Sequence, residues 1–479
     1  MLKRFFKDSL LYSFGGFAAK GASLLLVPVY TQILSPADYG TMDMMKMVAA
    51  IALLTVALEV TQAVARFYPE SEDKNTKAAY VSTGFWFSLG TYGFFALLGL
   101  LFSTPLSEII LDTSSNVIIF RVAILGVFLN GIFRYFKSQL KWQLRSKIFL
   151  IASLSALCLD IAATLFCMLN LNMGVLSIFI GQIFASLGGC GVAYFCNRSV
   201  YRLQFNIPIL KEMLRFSWPL VPSGIGIFIS MYTDRLVIKE MLSLHELGVY
   251  GIAFRFASIM SLVFLGIRYS LLPLVFHQLK NKNTPGEINK IFQYVLFLLL
   301  VILLFLSIFS KEIIELLTSP EFYPSYTVMP LLAVAAIFTN IYVFAPGIII
   351  AKRTKYIAYI SIGTAVVNLC LNLLLIPVWG ISGAALATVL SSFLGLWIQF
   401  FLSQRYYYIP FEWSKVFVST LLAGILIGIG YNLSFSFILQ ISIKSIIILT
   451  GAFIIPLILI GPQNIKSLLK FSSLGITKR

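Results

Sequence analysis

Ten charged side chains lie inside segments that are otherwise apolar. Six are cations, Lys20, Lys46, Arg121, Arg235, Arg255 and Arg268, and four are acids, Asp43, Glu59, Asp160 and Asp234. Carrying such groups into a nonpolar setting costs several kcal/mol unless they meet partners or water, so they are candidates for a site. Arginine offers a planar fork of donors that matches phosphate oxygens, and lysine offers a compact charge. An excess of cations facing a cavity between helices suits an anionic ligand. Glu59 and Asp160 are candidates for coupling to a cation, because a carboxylate held away from water can exchange a proton or a sodium ion. Plainer readings stand beside these. Lys46 and Asp43, at i and i+3, suit a local ion pair. Arg121 can reach an interface along its stem, and either Glu59 or Asp160 can serve as a structural partner of an arginine. Asp234 and Arg235 are adjacent, so on a helix they point about 100° apart and find separate partners. Arg235 is assigned to the cationic cavity, and Asp234 to a neighbouring cation or a gate.

The elements that must hold these residues follow from composition. Of 479 residues, 59% are hydrophobic and 11% charged, against about 25% charged in a soluble domain. Apolar runs long enough for the ~20 residues of a membrane span recur from residue 9 to residue 461. The fold class is an all-α polytopic membrane protein of about fourteen transmembrane helices. A transmembrane barrel is excluded, because barrel strands alternate with period two and carry weak hydropathy. With the amino terminus inside, cytoplasmic segments hold 27 of the 36 basic residues, against Lys239, Lys311 and Lys444 in the outer loops. Both termini are therefore expected in the cytoplasm. The net charge of +17 is then topological, and no nucleic acid is called for. The opening MLKRFFKDSLLYSFGG lacks a small-residue cleavage site and reads as an uncleaved anchor. The five cysteines show no metal spacing and read as packing residues. Pro28, Pro222 and Pro346 are expected to kink their spans.

The chain also repeats itself. Ile33-Leu-Ser-Pro-Ala-Asp-Tyr-Gly40 corresponds to Met241-Leu-Ser-Leu-His-Glu-Leu-Gly248, with Leu, Ser, an acid and Gly recurring at an offset of 208. Arg145-Ser-Lys147 and Arg353-Thr-Lys355 share that offset, and Gly174 and Gly380 are 206 apart. Three ordered matches point to duplication. An offset of six helices leaves both copies in the same orientation. The expected organisation is an N-lobe over 1–200, a cytoplasmic linker over 201–216, a C-lobe over 217–403, and an extra helix pair with a tail over 404–479.

Three stretches carry a family resemblance: LSPADYG after the first span, SWPLVPSG…TDRLVIKEMLSLHELGVYGIAFRF, and residues 351–392, AKRTKYIAYISIGTAVVNLCLNLLLIPVWGISGAALATVLSS. Together they resemble the polysaccharide-transporter family, the Wzx-type repeat-unit flippases of the multidrug/oligosaccharidyl-lipid/polysaccharide exporter superfamily. The resemblance implies translocation of an undecaprenyl-pyrophosphate-linked oligosaccharide to the outer leaflet by alternating access, for O-antigen or capsule assembly. It implies a bacterial cytoplasmic (inner) membrane setting, with membrane lipids and downstream polymerase or chain-length machinery as partners. No cofactor is called for beyond a proton or sodium gradient, and no metal. Rival readings are a lipid II-type flippase, a multidrug exporter and, from another class, a membrane-embedded polymerase or acyltransferase. The cation excess speaks against export of cationic drugs. Only two histidines occur, His245 and His277, and no nucleotide or nucleophile motif appears. Asn368 and Asn372, at i and i+4, suit interhelical hydrogen bonds or sugar binding, with the former favoured.

Overall fold

The computed structural model describes residues 2–112, 116–264, 267, 271, 283–351, 353, 355–433 and 436–462; among them it is helical, with no strand. By internal contacts the chain divides into two units, Met1–Gly251 and Ile252–Arg479. The first holds α1 (Leu2–Leu25), α2 (Val27–Ile33), α3 (Pro36–Thr55), α4 (Val60–Glu70), α5 (Lys74–Leu101), α6 (Ser103–Leu111), α7 (Val117–Trp142), α8 (Ser146–Leu169), α9 (Leu176–Phe195), α10 (Ile207–Ser217) and α11 (Leu220–Met241). Helix α12 (Leu244–Ala257) crosses the division. The second unit holds α13 (Thr284–Ile308), α14 (Ser310–Leu317), α15 (Ser325–Ile341), α16 (Lys355–Tyr406), α17 (Trp413–Tyr431) and α18 (Phe437–Leu459). Among the described residues ten helices are long and apolar enough to cross a membrane, or eleven if the bent pair α3 and α4 is one span. Helices α1 and α11, which carry Lys20 and the Asp234–Arg235 pair, are not among them.

The repeated motif is a helix start followed by a close contact. Ser35 caps α3: its hydroxyl accepts from the Asp38 amide at 3.2 Å, and the Asp38 carboxylate accepts from the Ser35 amide at 3.0 Å. This reciprocal arrangement satisfies donors that a helix N-terminus leaves open. In the second copy the Ser243 hydroxyl accepts from the Glu246 amide at 3.2 Å. The two glycines then face each other's helix starts. A Cβ at Gly40 would run into the Leu244 carbonyl, and one at Gly248 into the Pro36 carbonyl. Pro36 and Leu244 are themselves 208 apart, so the contact pairs matching positions of the two sequence stretches. Gly174 and Gly380 also behave alike, with φ of +53° and +56°, a region glycine enters at little cost. Gly380 breaks the 52-residue α16 into two limbs.

Helix α1 ends at Leu25 and α2 restarts just before Pro28, the break a proline imposes. The core of the first unit joins α4, α5, α7, α8, α9 and α10 through Val60, Val64, Tyr92, Tyr135, Leu140 and Met213 among others. Residues 201–216 form a strap on this core. The Arg202 and Asn206 amides donate to the Ser82 and Thr83 hydroxyls at 2.8 and 3.1 Å, and the Tyr80 hydroxyl donates to Glu212 at 2.7 Å. In the second unit, Asn372 donates to Asn368 at 3.0 Å and Asn368 to Ser391 at 3.1 Å. Both asparagines are buried and tie the two limbs of α16 together.

Candidate functional site

Helices α3 and α4 would be one continuous helix but for a bend of 42° between them. Leu58 and Glu59 both adopt left-handed backbone, with φ of +48° and +51°. For side-chain-bearing residues this costs about 1–2 kcal/mol each and persists where surroundings fix it. Part of the compensation is visible. The Leu53 carbonyl, near the break, accepts from Arg134 Nη1 of α7 at 3.2 Å and from the Tyr92 hydroxyl of α5 at 3.3 Å. Arg134 Nη2 lies 3.5 Å from the Glu59 carboxylate. Glu59 is buried, whereas the Arg134 side chain is 42% exposed. A broken helix with a carboxylate at the break is where transport proteins place ion and substrate sites.

Arg134 also lines a cavity of about 430 Å³. Asn130, Phe133, Arg134, Lys137, Ser138 and Lys141 line it from α7, and Phe149 from α8. The six α7 residues recur at helical spacing and so form one stripe. The Lys137 ammonium sits 5.5 Å from the Phe133 ring and 5.3 Å from the Phe149 ring.

A second charged group joins α3, α11 and α12. The Asp234 carboxylate accepts from the Tyr250 hydroxyl at 2.6 Å, from the Arg235 amide at 2.9 Å and from Arg235 Nη1 at 3.3 Å. Arg235 also donates to the Met231 carbonyl at 3.0 Å and packs 5.4 Å from the Tyr232 ring. Asp43 acts on the Arg235 charge as a second carboxylate and pairs with Lys46 at 3.8 Å. Two acids and two cations balance, and Asp43, Asp234 and Arg235 are buried.

Of the ten residues singled out in the sequence, the structure brings Asp43, Lys46, Asp234 and Arg235 together in this balanced group. Arg235 therefore lies among carboxylates. Asp160 bonds Thr164 on its own helix and feels the Lys46 charge. Glu59 belongs to the helix break. Lys20 is exposed on α1. Arg121 is exposed, and its Nε donates to the Ser103 hydroxyl at 2.8 Å. Arg255 is half-buried near the end of α12, and Arg268 lies outside the described residues.

Other ions were not recognised in the sequence. Arg134, Lys137 and Lys141 belong to the basic residues that topology places in the cytoplasm, and their spacing of three and four puts them on one helix face. Lys239 is buried and donates to Asp112 at 2.6 Å, Glu240 at 2.9 Å and the Ile109 carbonyl at 3.2 Å. Lys444, 3% exposed in its side chain, pairs with Glu312 at 2.5 Å. Outside the helices, Glu412 is held below the usual carboxylate range by Lys415 and, more weakly, by Gln293.

A family profile described as polysaccharide biosynthesis protein matches residues 29–317. A probable low-salt glycan biosynthesis flippase of Haloferax volcanii is 28% identical over 228 residues, 46% of this chain and 48% of that protein. A succinoglycan biosynthesis transport protein of Rhizobium meliloti is 24% identical over 269 residues, 54% of this chain and 51% of that one. The chain thus spans about half the length of these curated relatives. Among solved structures, the lipid II flippase MurJ in an inward closed conformation gives a TM-score of 0.72 at 18% identity, covering 93% of this chain and 99% of its own. An inward-facing multidrug resistance MATE transporter gives 0.63 at 15% identity, covering 83% and 94%. At those identities the likeness is one of fold.

Proposed function

The chain belongs to the polysaccharide biosynthesis protein family, and from that premise we propose that it is a flippase for lipid-linked oligosaccharides. The substrate is an undecaprenyl-pyrophosphate-linked repeat unit, carried from the cytoplasmic to the outer leaflet of a bacterial inner membrane for O-antigen or capsule assembly. Two six-helix lobes, with an extra helix pair, rock to give alternating access through fourteen spans, and both termini are cytoplasmic. The observation that carries the reading is the broken helix at Leu58–Glu59, with Arg134 shared between the Glu59 carboxylate and a cation-lined cavity. Cations suit the diphosphate, a carboxylate at a helix break suits proton or sodium coupling, and the rest of the chain supplies an apolar surround. Lys20, Lys46, Arg121, Arg235, Arg255 and Arg268 serve the anion's passage in states where they face it. Asp43 and Asp234 act as gate residues, and Asp160 is a second coupling carboxylate.

Reconstitution tests this directly. Proteoliposomes containing the full chain are expected to move a polyprenyl-diphosphate oligosaccharide between leaflets, read as its accessibility to an external glycosidase. The rate is expected to respond to an imposed proton or sodium gradient. A chain that moves lipid II or exports a cationic dye, and leaves the oligosaccharide in place, overturns the reading.

A further inference from the structure

The stripe on α7 asks for an explanation of its own. Arg134, Lys137 and Lys141 lie within about two turns of one helix face, and like charges at such spacings repel. Among the described residues no carboxylate lines their cavity, and Glu59, which pairs with Arg134, is not part of that lining. Lys137 is held between two phenyl rings, which fixes its ammonium at the cavity wall. Ser138 and Asn130 add hydroxyl and amide donors beside the cations. Three cations, neutral donors and an open volume of about 430 Å³ form a receptor for a compact multivalent anion. Charges placed merely to orient the chain need no shared cavity and no aromatic clamp.

We propose that this cavity binds the diphosphate group of the lipid-linked substrate, and that the bound anion draws Arg134 away from Glu59. The assignment rests on the flippase reading for its lipid; the anion chemistry rests on the cavity. Arg134 is suited to such an exchange. Its contact with Glu59 is a single one at 3.5 Å, while a guanidinium has five N–H donors and can hold a phosphate through two of them. Release of Arg134 frees the Glu59 carboxylate at the helix break and removes one donor from the Leu53 carbonyl. Loading is thereby linked to the joint between α3 and α4, and to the carboxylate that would take up a coupling ion.

The test uses the purified full chain and inorganic pyrophosphate as probe, with affinity read by calorimetry. Wild type binds pyrophosphate. The double variant Lys137→Gln/Lys141→Gln binds about tenfold more weakly or less, the loss expected for removing charge-assisted hydrogen bonds, while Lys137→Arg/Lys141→Arg retains affinity. Glu59→Gln tightens binding several-fold, because Arg134 is no longer shared. Unchanged affinity in the glutamine double variant, with all proteins melting like wild type, overturns the site; unchanged or weaker affinity in Glu59→Gln overturns the exchange. In nanodiscs, a polyprenyl diphosphate is expected to displace pyrophosphate where phosphatidylglycerol does not. Equal displacement by phosphatidylglycerol makes this a phospholipid headgroup site and overturns the substrate assignment. Transport separates the two ideas. A wild-type chain that binds pyrophosphate yet moves no lipid-linked glycan retires the flippase reading and leaves the anion site standing. A glutamine double variant that moves glycan with an unchanged KM retires the site alone.

Discussion

Two ion pairs of the first unit use the same chemistry in opposite surroundings. Asp234 and Arg235 have side chains 9% and 8% exposed, and each has further hydrogen-bonding partners: Tyr250 and the Arg235 amide on the acid, the Met231 carbonyl on the base. Glu59 is equally buried, but Arg134 is 42% exposed, borders a cavity, and meets it at 3.5 Å across a strained helix break. A buried, satisfied pair resists change because breaking it strands a charge. A half-exposed pair contributes little and can be exchanged at low cost. The difference teaches that charge in an apolar chain can serve as a fastening or as a switch, and that exposure and partner count tell them apart.

The largest effect expected is at the fastening. Asp234→Ala leaves Arg235 buried beside a weaker partner and is expected to cost about 3–5 kcal/mol, seen as a large fall in melting temperature. Asp234→Leu with Arg235→Met is expected to restore much of that loss. An Asp234→Ala chain that melts like wild type would erase the contrast. The Lys444–Glu312 pair of the second unit provides an intermediate case. Glu312 is 16% exposed and also accepts from Gln440 at 2.9 Å, so Glu312→Gln is expected to cost about 1–3 kcal/mol in the same measurement.

At the switch the readouts should diverge. Glu59→Gln is expected to change stability by no more than about 1 kcal/mol, while the response of transport to an ion gradient is lost. A loss of stability matching that of Asp234→Ala would place Glu59 with the fastenings.

The smallest effect concerns an acid held chiefly by hydrogen bonds to its own helix start. Asp73 caps α5, accepting from the Thr76 amide at 2.9 Å and its hydroxyl at 3.0 Å. The Thr76 amide, then its hydroxyl, holds the carboxyl below its ordinary value. The folded value is the depressed one, so the cap's contribution is present above the ordinary carboxylate range near about 4 and is lost as pH falls through the lower folded value. Hydrogen exchange in the first turn of α5 is expected to quicken over that acid range, and Asp73→Asn to abolish the dependence.

Several of these features were legible in the sequence, and others had no local signature. Ser35-Pro-Ala-Asp38 and the similar Ser243-Leu-His-Glu246 each announce a helix start, and in both the serine hydroxyl accepts from the amide three residues on. Pro28 marked the break before α2. The break at Leu58–Glu59 carries no glycine or proline: Thr55-Val-Ala-Leu-Glu59 reads as uninterrupted helix, because the bend is held by Arg134 and Tyr92 from distant segments. The balanced group hid for the same reason, since Arg235 meets Asp43 from 192 residues away in the chain. Arg134, Lys137 and Lys141 were visible but ambiguous, because positive-inside topology and phosphate binding call for the same side chains.

The reciprocal contact of Gly40 with Leu244 and of Gly248 with Pro36 bears on how the two matching segments can vary. Neither glycine is shaped by its own helix; each is required by the backbone of the other copy. A side chain gained at one position would be rejected by main chain, which no substitution in the opposite copy can trim away. The two matching segments therefore constrain each other: their surfaces are free to vary, while at this crossing each holds the other to glycine.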